Sequence, residues 1–478
     1  MKRSFQLFPI FIFCVGIFNC SNPTSSKPGN PFKDVDLQVL TDSTLAITWQ
    51  GDFDSAVLVS LDRKVGEAAW QLNYKNVPAK QFSYIDTLHS VHTDTVYSYR
   101  LRLNENDISS SFSQSVALLS ENCVPTDFSA RQIDKSIIRL AWRDQSIGEA
   151  GFRIDRQIGD GNWQIAYTKA DSNSYEYFDT ITTSSEIQYR IAAYAGSSLS
   201  AFSDIAKVSL GSLSLTNLYF GNEATFEVMT WNIEGFPRFN TLTISAVSQA
   251  IKALDIDIVG MQEITSATAF QQLLDSLGNW DGYRSNSAAY DIDLAFVYNP
   301  ANITVNQYYE IFRHENAFPR PPLVIELEWQ GIPIIIINNH FKAQGDADSQ
   351  NRRLEASTLL ENYISTNFSD DNVIVIGDFN DELTDAQSVN VFWPFLSKPS
   401  AYKFTDYAIA QGSSKFWSYP TWPSHIDHIL ITDELFSAFA NSASVVKTLL
   451  IENFMSGGWN EYAVKISDHR PVALKLAF

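Results

Sequence analysis

A chain of 478 residues exceeds what one ordinary core organises, so two to four domains are expected. Its 45% apolar and 18% charged content excludes intrinsic disorder, and its 13% aromatic content suits β-rich, secreted architecture better than a helical bundle. The formal net charge of −20 excludes a scaffold that coats nucleic acid through a broad basic face, but not an enzyme that cuts it at a local site.

Lys2 and Arg3 precede an apolar run over 5–18, too short to span a bilayer comfortably, which leads to Cys20. A polar tether rich in Ser, Asn and Pro follows over 20–35. The arrangement resembles a bacterial lipoprotein signal over 1–19, with Cys20 as the acylated residue. Phe18 and Asn19 are bulkier than the small residues usual there, and a plain cleaved signal is the alternative. The expectation is export, to the cell surface or outer membrane through a lipid anchor or as a secreted protein. Only Cys14, Cys20 and Cys123 occur, so no disulfide framework is expected and cores must hold the domains.

Residues 36–120 alternate apolar and polar positions in short runs, with Leu45-Ala46-Ile47-Thr48-Trp49 and the run from Tyr97 through Leu103 as strand candidates. Residues 124–210 repeat the plan, with Ile138-Arg139-Leu140-Ala141-Trp142 early and Tyr189-Arg190-Ile191-Ala192-Ala193-Tyr194 late. With Trp49 and Trp142 as core tryptophans, and late strands carrying Tyr97 and Tyr189, these segments resemble fibronectin type III domains. The resemblance implies two all-β immunoglobulin-like sandwiches that act as spacers or dock cell-surface or polymer ligands. A polar linker is expected over 211–225.

From 226 the grammar changes to strands alternating with helices, which implies a layered α/β domain over 226–478. Phe226-Glu227-Val228-Met229-Thr230-Trp231 reads as a strand. Residues 242–254 read as a helix with Leu242, Ile244, Val247, Ile251 and Leu254 on one face, and 349–366 as a second amphipathic helix.

The informative feature is where polar residues fall. Apolar strands adjoin Asn232-Ile233-Glu234-Gly235, Gln262-Glu263, Asn338-Asn339-His340-Phe341-Lys342, Gly377-Asp378-Phe379-Asn380-Asp381, Ile426-Asp427-His428 and Ser467-Asp468-His469. Rigid scaffolds present catalytic groups at strand ends. Convergence of these ends would set at least five carboxylates against one another, a repulsion that Mg²⁺ or Mn²⁺ relieves, because hard cations take carboxylate and water ligands. Zinc fits less well, since no cysteine is available and carboxylates outnumber histidines.

Six such motifs in this order are similar to the endonuclease/exonuclease/phosphatase superfamily, the DNase I-like fold, over the whole of 226–478. The resemblance implies a four-layer α/β sandwich and a metal-dependent phosphoesterase. It implies Glu263 as principal metal ligand, with Asn232, Glu234 and Asp468 beside it. Asp378 and Asn380 would orient or activate water, His469 would contact the scissile phosphate, and Asp427 would fix its ring. His340 would be a candidate acid toward the leaving oxygen. Arg320 suits a phosphate contact; Lys342, Arg352 and Arg353 suit substrate contacts, with helix-surface solvation fitting the three at least as well. His425 and His428 read as packing residues, His428 facing away from Asp427 on a strand.

The expected substrate is DNA or RNA, cleaved by a monomer. The alternatives are inositol phosphates or sphingomyelin, and, from another class, a surface adhesion protein with an inactive last domain. No exposed aromatic hairpin or polybasic stretch suited to membrane insertion stands out in the sequence.

Overall fold

The computed structural model describes residues 31–478 apart from 42–43, 54–56, 89–95, 106–107, 114–115, 119–122, 184, 197 and 289–290. The expected signal and the expected acylation at Cys20 therefore fall outside the described residues, as does most of the expected tether. The chain divides into two compact units. One comprises Met1–Ala130, Leu140–Phe178 and Ser185–Val208; the other comprises Arg131–Arg139, Asp179–Ser184 and Ser209–Phe478.

The N-terminal region is all-β, and its two segments repeat one plan. In the first, Lys33–Thr41, Thr44–Gln50 and Ser83–Thr87 form one antiparallel sheet, and Gln71–Pro78, Leu58–Val65 and Tyr97–Glu105 form the body of another. Alternation sends Leu45, Ile47 and Trp49 inward, as it does Ile138, Leu140 and Trp142 in the second segment. Side chains repeat too. Asp62 pairs with Arg100 at 3.0 Å, and that guanidinium lies over Trp70 and Phe112. In the second segment Asp155 pairs with Arg190 at 2.9 Å, over Trp163 and Phe202. Because Arg100 and Arg190 correspond, the counterpart of Tyr189 is Tyr99 rather than Tyr97, although both Tyr97 and Tyr99 are buried. Cys123 is fully buried.

The C-terminal unit is built on two six-stranded sheets. Its strands are β1 (Phe226–Phe236), β2 (Ile258–Ile264), β3 (Asp281–Arg284), β4 (Asp293–Tyr298), β5 (Ile303–Glu310), β6 (Leu323–Trp329), β7 (Ile332–His340), β8 (Val373–Asp378), β9 (Tyr402–Phe404), β10 (Asp427–Thr432), β11 (Val445–Thr448) and β12 (Val472–Leu476). The first sheet runs β3-β4-β2-β1-β12-β11 and the second β5-β6-β7-β8-β10-β9. The central strands read as unbroken apolar runs because both of their faces are buried. Phe226 and Val228 of β1 meet Ile334 and Ile336 of β7 and Ile374 and Ile376 of β8 in the core between the sheets. The opposite face of β1, with Met229, Trp231 and Ile233, packs under helices α1 (Asn240–Leu254) and α2 (Ala267–Leu277). The outer faces of β7 and β8 pack under α3 (Ala347–Asn367). Helix, sheet, sheet and helix make four layers.

Two details differ from the sequence reading. Leu242 is 51% exposed, and the inward face of α1 is completed instead by Thr243, Ser248 and Ala250. The stretch read as a linker is partly packed: Leu218 and Phe220 are buried in the core under α1, and the N–H groups of Phe220 and Gly221 donate to the Leu254 carbonyl, which α1 leaves open at its C-terminus.

A buried acid pair sits at the start of β1. The Glu227 carboxyl accepts from Thr225 Oγ1 and the Asn222 N–H, while Asp257 accepts from the Glu227 N–H at 2.9 Å and from Asn302 at 2.8 Å. Burial, reinforced by Asp257, pushes Glu227 up to about 10. The folded chain thus holds a proton that the unfolded chain releases above its ordinary carboxyl range, so Glu227 withdraws stability as pH rises between about 4.5 and about 10. Glu227→Gln is expected to raise stability by roughly 3–5 kcal/mol more at pH 8 than at pH 4.5, read from denaturant unfolding at the two pH values.

Candidate active site

The site lies at one end of the two central sheets because the strands that carry it terminate there in register. His340 closes β7 opposite Asp378 at the parallel end of β8, and Asp378 pairs with Asp427 at the antiparallel start of β10. On the other sheet, Asn232 of β1 pairs with Gln262, and Glu263 follows directly. Ser467, Asp468 and His469 lie shortly before β12. Gly377 makes the close strand pairing possible: its φ is 150°, and a Cβ there would stand 2.1 Å from the Asn339 carbonyl. Glu263 (φ 62°), Glu234 (φ 24°) and Asn380 (φ 53°) all hold backbone conformations unfavourable to ordinary side chains, a strain that surrounding contacts must offset.

Beneath the site the sheets are bolted together by amides. Gln262 Nε2 donates to Asn338 Oδ1 at 2.7 Å and to Thr230 Oγ1 at 3.0 Å, and Asn338 Nδ2 donates to the Met261 and Ala295 carbonyls, both at 3.0 Å. Fully buried amides at such a junction hold position only when satisfied, so this bridge fixes the separation of Glu263 from Asp378.

Above it, the expected residues meet. Asn232 Nδ2 donates to Glu263 Oε1 at 3.3 Å and to Asp378 Oδ2 at 2.9 Å, tying the two carboxylates together across the sheets. Glu263 Oε2 also accepts from the Gly235 N–H at 3.0 Å. His340 Nε2 stands 3.5 Å from Asp378 Oδ2 and 4.0 Å from Glu263 Oε1. His469 Nδ1 meets Asp427 Oδ2 at 2.8 Å, which leaves Nε2 facing Asp378 Oδ2 and Asp468 Oδ1, each at 3.9 Å. Asp378 Oδ1 accepts from the Asn380 N–H at 2.9 Å, and Asn380 Nδ2 donates to the Phe341 carbonyl. The Ser467 hydroxyl donates to the Asn232 carbonyl at 2.6 Å and accepts from the His469 N–H, so the last loop is pinned to β1.

Several expected residues have other contacts. The Asn232 oxygen accepts from the Glu234 N–H, so Asn232 joins two carboxylates instead of presenting an oxygen beside Glu263. Glu234 pairs with Arg238 and accepts from the Asp468 N–H at 3.1 Å. Arg320 donates to the Phe341 carbonyl and lies in the field of Glu263 and Asp378. Lys342 Nζ is directed to the Ala343 carbonyl at 2.8 Å. Arg353 is not on a solvated helix surface: it is buried, pairs with Asp381 at 2.7 Å and donates to the Lys342 and Gln344 carbonyls, bracing the loop after β7. Arg352 donates to the Asn316 carbonyl.

The two histidines at the centre have opposite electrostatics. Burial, with help from Arg320 and His469, pushes His340 well below the ordinary imidazole range, so it is neutral. Burial also acts downward on His469, but Asp427, Asp378 and Asp468 outweigh it and hold the imidazolium up to about 10. Asp378 is pushed up to about 7, chiefly by burial and further by Asp427, against the pull of His469 and the Asn232 amide. A carboxyl poised near neutrality beside a fixed cation can exchange a proton with water, while the cation stabilises negative charge.

A second cluster, Asp406, His425 and His428, was not foreseen as a unit. Asp406 Oδ2 meets His425 Nε2 at 2.9 Å and His428 Nδ1 at 2.7 Å, while its Oδ1 accepts from the Ile429 N–H. The remaining ring nitrogens meet the Ser418 N–H and the Asp381 carbonyl, so every nitrogen is occupied and the cluster is a packing network. His428 faces the aromatic group of Phe379, Phe392 and Phe404, away from the partner of Asp427, as strand alternation requires. Tyr419, which no sequence pattern marks, lies against the His469 ring with centroids 4.8 Å apart.

Residues 229–469, just over half of the chain, match the Endonuclease/Exonuclease/phosphatase family. A search of curated proteins returns no match. Solved structures similar to this chain include humanized D. rerio TDP2 (12% identity, TM-score 0.42, 53% of this chain and 100% of that one). Others are the human Nocturnin catalytic domain (18%, 0.40, 53% and 95%) and a mannosyl-6-phosphatase of Bacteroides thetaiotaomicron (17%, 0.39, 53% and 100%).

Asp427→Asn removes the charge that holds up His469. In a titration followed by imidazole NMR, His469 is expected to lose its proton at least one pH unit lower in the variant than in the wild-type chain. An unchanged titration would mean that Asp427 does not set its charge.

Proposed function

The chain belongs to the endonuclease/exonuclease/phosphatase family, a family of hydrolases, and from that premise we propose that its C-terminal unit is a metal-dependent phosphodiesterase acting on nucleic acid. The observation that carries this reading is the continuous chain Asp427–His469–Asp378–Asn232–Glu263, which joins a cation, a poised carboxyl and a partly exposed carboxylate in one place.

The donor set fits a divalent ion. Glu263 and Asp468 each keep a 26% exposed side chain at the mouth, their ligating atoms are oxygens, and the sequence of the C-terminal unit contains no cysteine. Such a donor set suits Mg²⁺ or Mn²⁺. In the proposal Glu263 is the principal ligand, supported by Asp468, while Asn232 and Glu234 hold these groups in place. The ion would supply charge neutralisation and polarise the phosphoryl oxygens.

The protein's own groups divide the remaining work. His469 donates its Nε2–H to a phosphoryl oxygen, and Asp427 keeps that ring charged and oriented. Asp378, carried on β8 and steadied by Asn232 and the Asn380 N–H, accepts a proton from the attacking water. Neutral His340 donates a hydrogen bond and serves as a positioning group instead of a proton reservoir, which revises the acid role expected from sequence. Arg320 supplies a second positive charge for the phosphate.

We also propose that the two β-segments are fibronectin type III-like modules that hold the catalytic unit away from a lipid anchor, on the strength of the repeated Asp–Arg–Trp–Phe constellation and the N-terminal sequence pattern.

Purified full-length chain should be assayed on plasmid DNA, RNA, inositol phosphates and sphingomyelin, each with Mg²⁺, Mn²⁺ and chelator. Turnover of nucleic acid that chelator abolishes is expected. Asp378→Asn and His469→Ala should each lower kcat by roughly 10²–10⁴-fold while circular dichroism and unfolding stay close to wild type. Full activity in both variants would end the assignment.

A further inference from the structure

Just before β10, the chain forms a tight turn whose ends, Tyr419 and Ser424, pair as an antiparallel bridge. Its tip is Pro420-Thr421-Trp422-Pro423. Trp422 is 74% exposed, the highest exposure of any large hydrophobic side chain among the described residues. A singly exposed indole is not by itself a site; what distinguishes Trp422 is the segment that carries it.

The base of this turn is clamped to the catalytic loop. Arg470, adjacent to His469, donates its N–H to the Ser418 carbonyl at 2.7 Å, and its guanidinium donates to the Lys415 and Trp417 carbonyls and pairs with Glu452 at 2.6 Å. The Ser418 hydroxyl accepts from the Ile426 and Asp427 N–H groups. Tyr419 touches the His469 ring. Trp422 is three residues from Tyr419, so its backbone is at most about 11 Å from that of Tyr419. Two flanking prolines limit the turn's freedom further. The indole is thus exposed, preorganised, and carried on the segment that contacts the catalytic histidine.

We propose that Trp422 is a stacking platform for a nucleobase adjacent to the scissile phosphate, which makes single-stranded or frayed nucleic acid the preferred substrate. This rests on the nuclease reading of the site and refines it. The surroundings favour a base over the other rings or surfaces an indole meets. Apart from Tyr419, whose ring lies against His469, the turn offers only Thr421 and Ser424 for hydrogen bonding beside it, few for reading the hydroxyls of a sugar, whereas base stacking needs none and tolerates any sequence. Within the turn, Pro420, Thr421, Pro423 and Ser424 bring neither a second large apolar group nor a basic charge; a lipid-facing role, which the exposed Lys415 and Phe416 before the turn would also suit, is the outcome in which Trp422→Ala leaves KM unchanged.

The test compares the full-length wild-type chain with Trp422→Ala and Trp422→Phe, in Mg²⁺ or Mn²⁺. The substrates are a single-stranded oligonucleotide, the same oligonucleotide carrying abasic sugars on both sides of the cleaved bond, and a hexose 6-phosphate. Trp422→Ala should raise KM on the base-bearing strand by about 5- to 100-fold with kcat within about twofold, and Trp422→Phe should recover most of the loss. On the abasic strand the three proteins should be alike. Unchanged KM in Trp422→Ala, or an equal loss on the abasic strand, would overturn the platform while leaving the nuclease reading standing. A wild-type chain that hydrolyses hexose phosphate and no oligonucleotide would overturn both.

Discussion

Burying Asp378 and Asp427 beside one another is the constraint around which the C-terminal unit is organised. Their ligating oxygens and a His469 nitrogen lie within 4.8 Å of one another, and at that separation two like charges repel by about 3–4 kcal/mol even in an effective dielectric near 20. One imidazolium offsets part of this, and Glu263 and Asp468 add further negative charge close by. The sheets therefore have to hold these groups against their own repulsion. They do so with hydrogen-bonded neutral amides: Asn232 between two carboxylates, and Gln262 with Asn338 beneath them. The residual negative charge is what a divalent ion would answer, and such an ion would give a chain with a net charge of −20 one local point of attraction for a phosphate.

The same constraint separates the roles of chemically identical side chains. His340 and His469 are both buried, yet one is neutral and the other charged. His340 faces Arg320, and its ring lacks a carboxylate at bonding distance; His469 is bound directly to Asp427. His425 and His428 share a third environment, in which Asp406 and backbone groups take up every nitrogen. Four histidines within one unit thus do three different jobs, decided by which carboxylate each meets.

Much of this was legible in the sequence where periodicity and chemistry coincide. The unbroken Ile-rich runs over 332–337 and 373–376 signal strands covered on both faces, and polar groups at their ends signal a site. The alternation around Trp49 and Trp142 likewise announced the all-β repeat. What the sequence hid was every feature that depends on distant pairing. Leu242 read as sharing a face with Ile244 and Val247, but at about 100° per residue it lies roughly 200° and 140° around the helix from them, which puts it on the solvent side, where it is 51% exposed. Arg353 read as surface charge because Asp381, its partner, is far along the chain. Phe220 and Leu218 sat within a polar stretch whose composition concealed two core residues. Asn232 carried no sequence sign that its nitrogen bridges the Glu263 and Asp378 carboxylates. Tyr419 and Trp422 carry no motif, and their placement follows from a turn held by Arg470.

The central claim is that the acidic groups at the ends of β1, β2 and β8 are reconciled by one hard cation centred on Glu263. Titration of the metal-free full-length chain with Mn²⁺, followed by electron paramagnetic resonance of the free ion, measures this directly and without turnover. One ion bound per chain, with binding weakened at least tenfold in Glu263→Gln while unfolding behaviour is preserved, is the predicted result. Equal binding by wild type and Glu263→Gln, or none by the wild-type chain, would contradict the account.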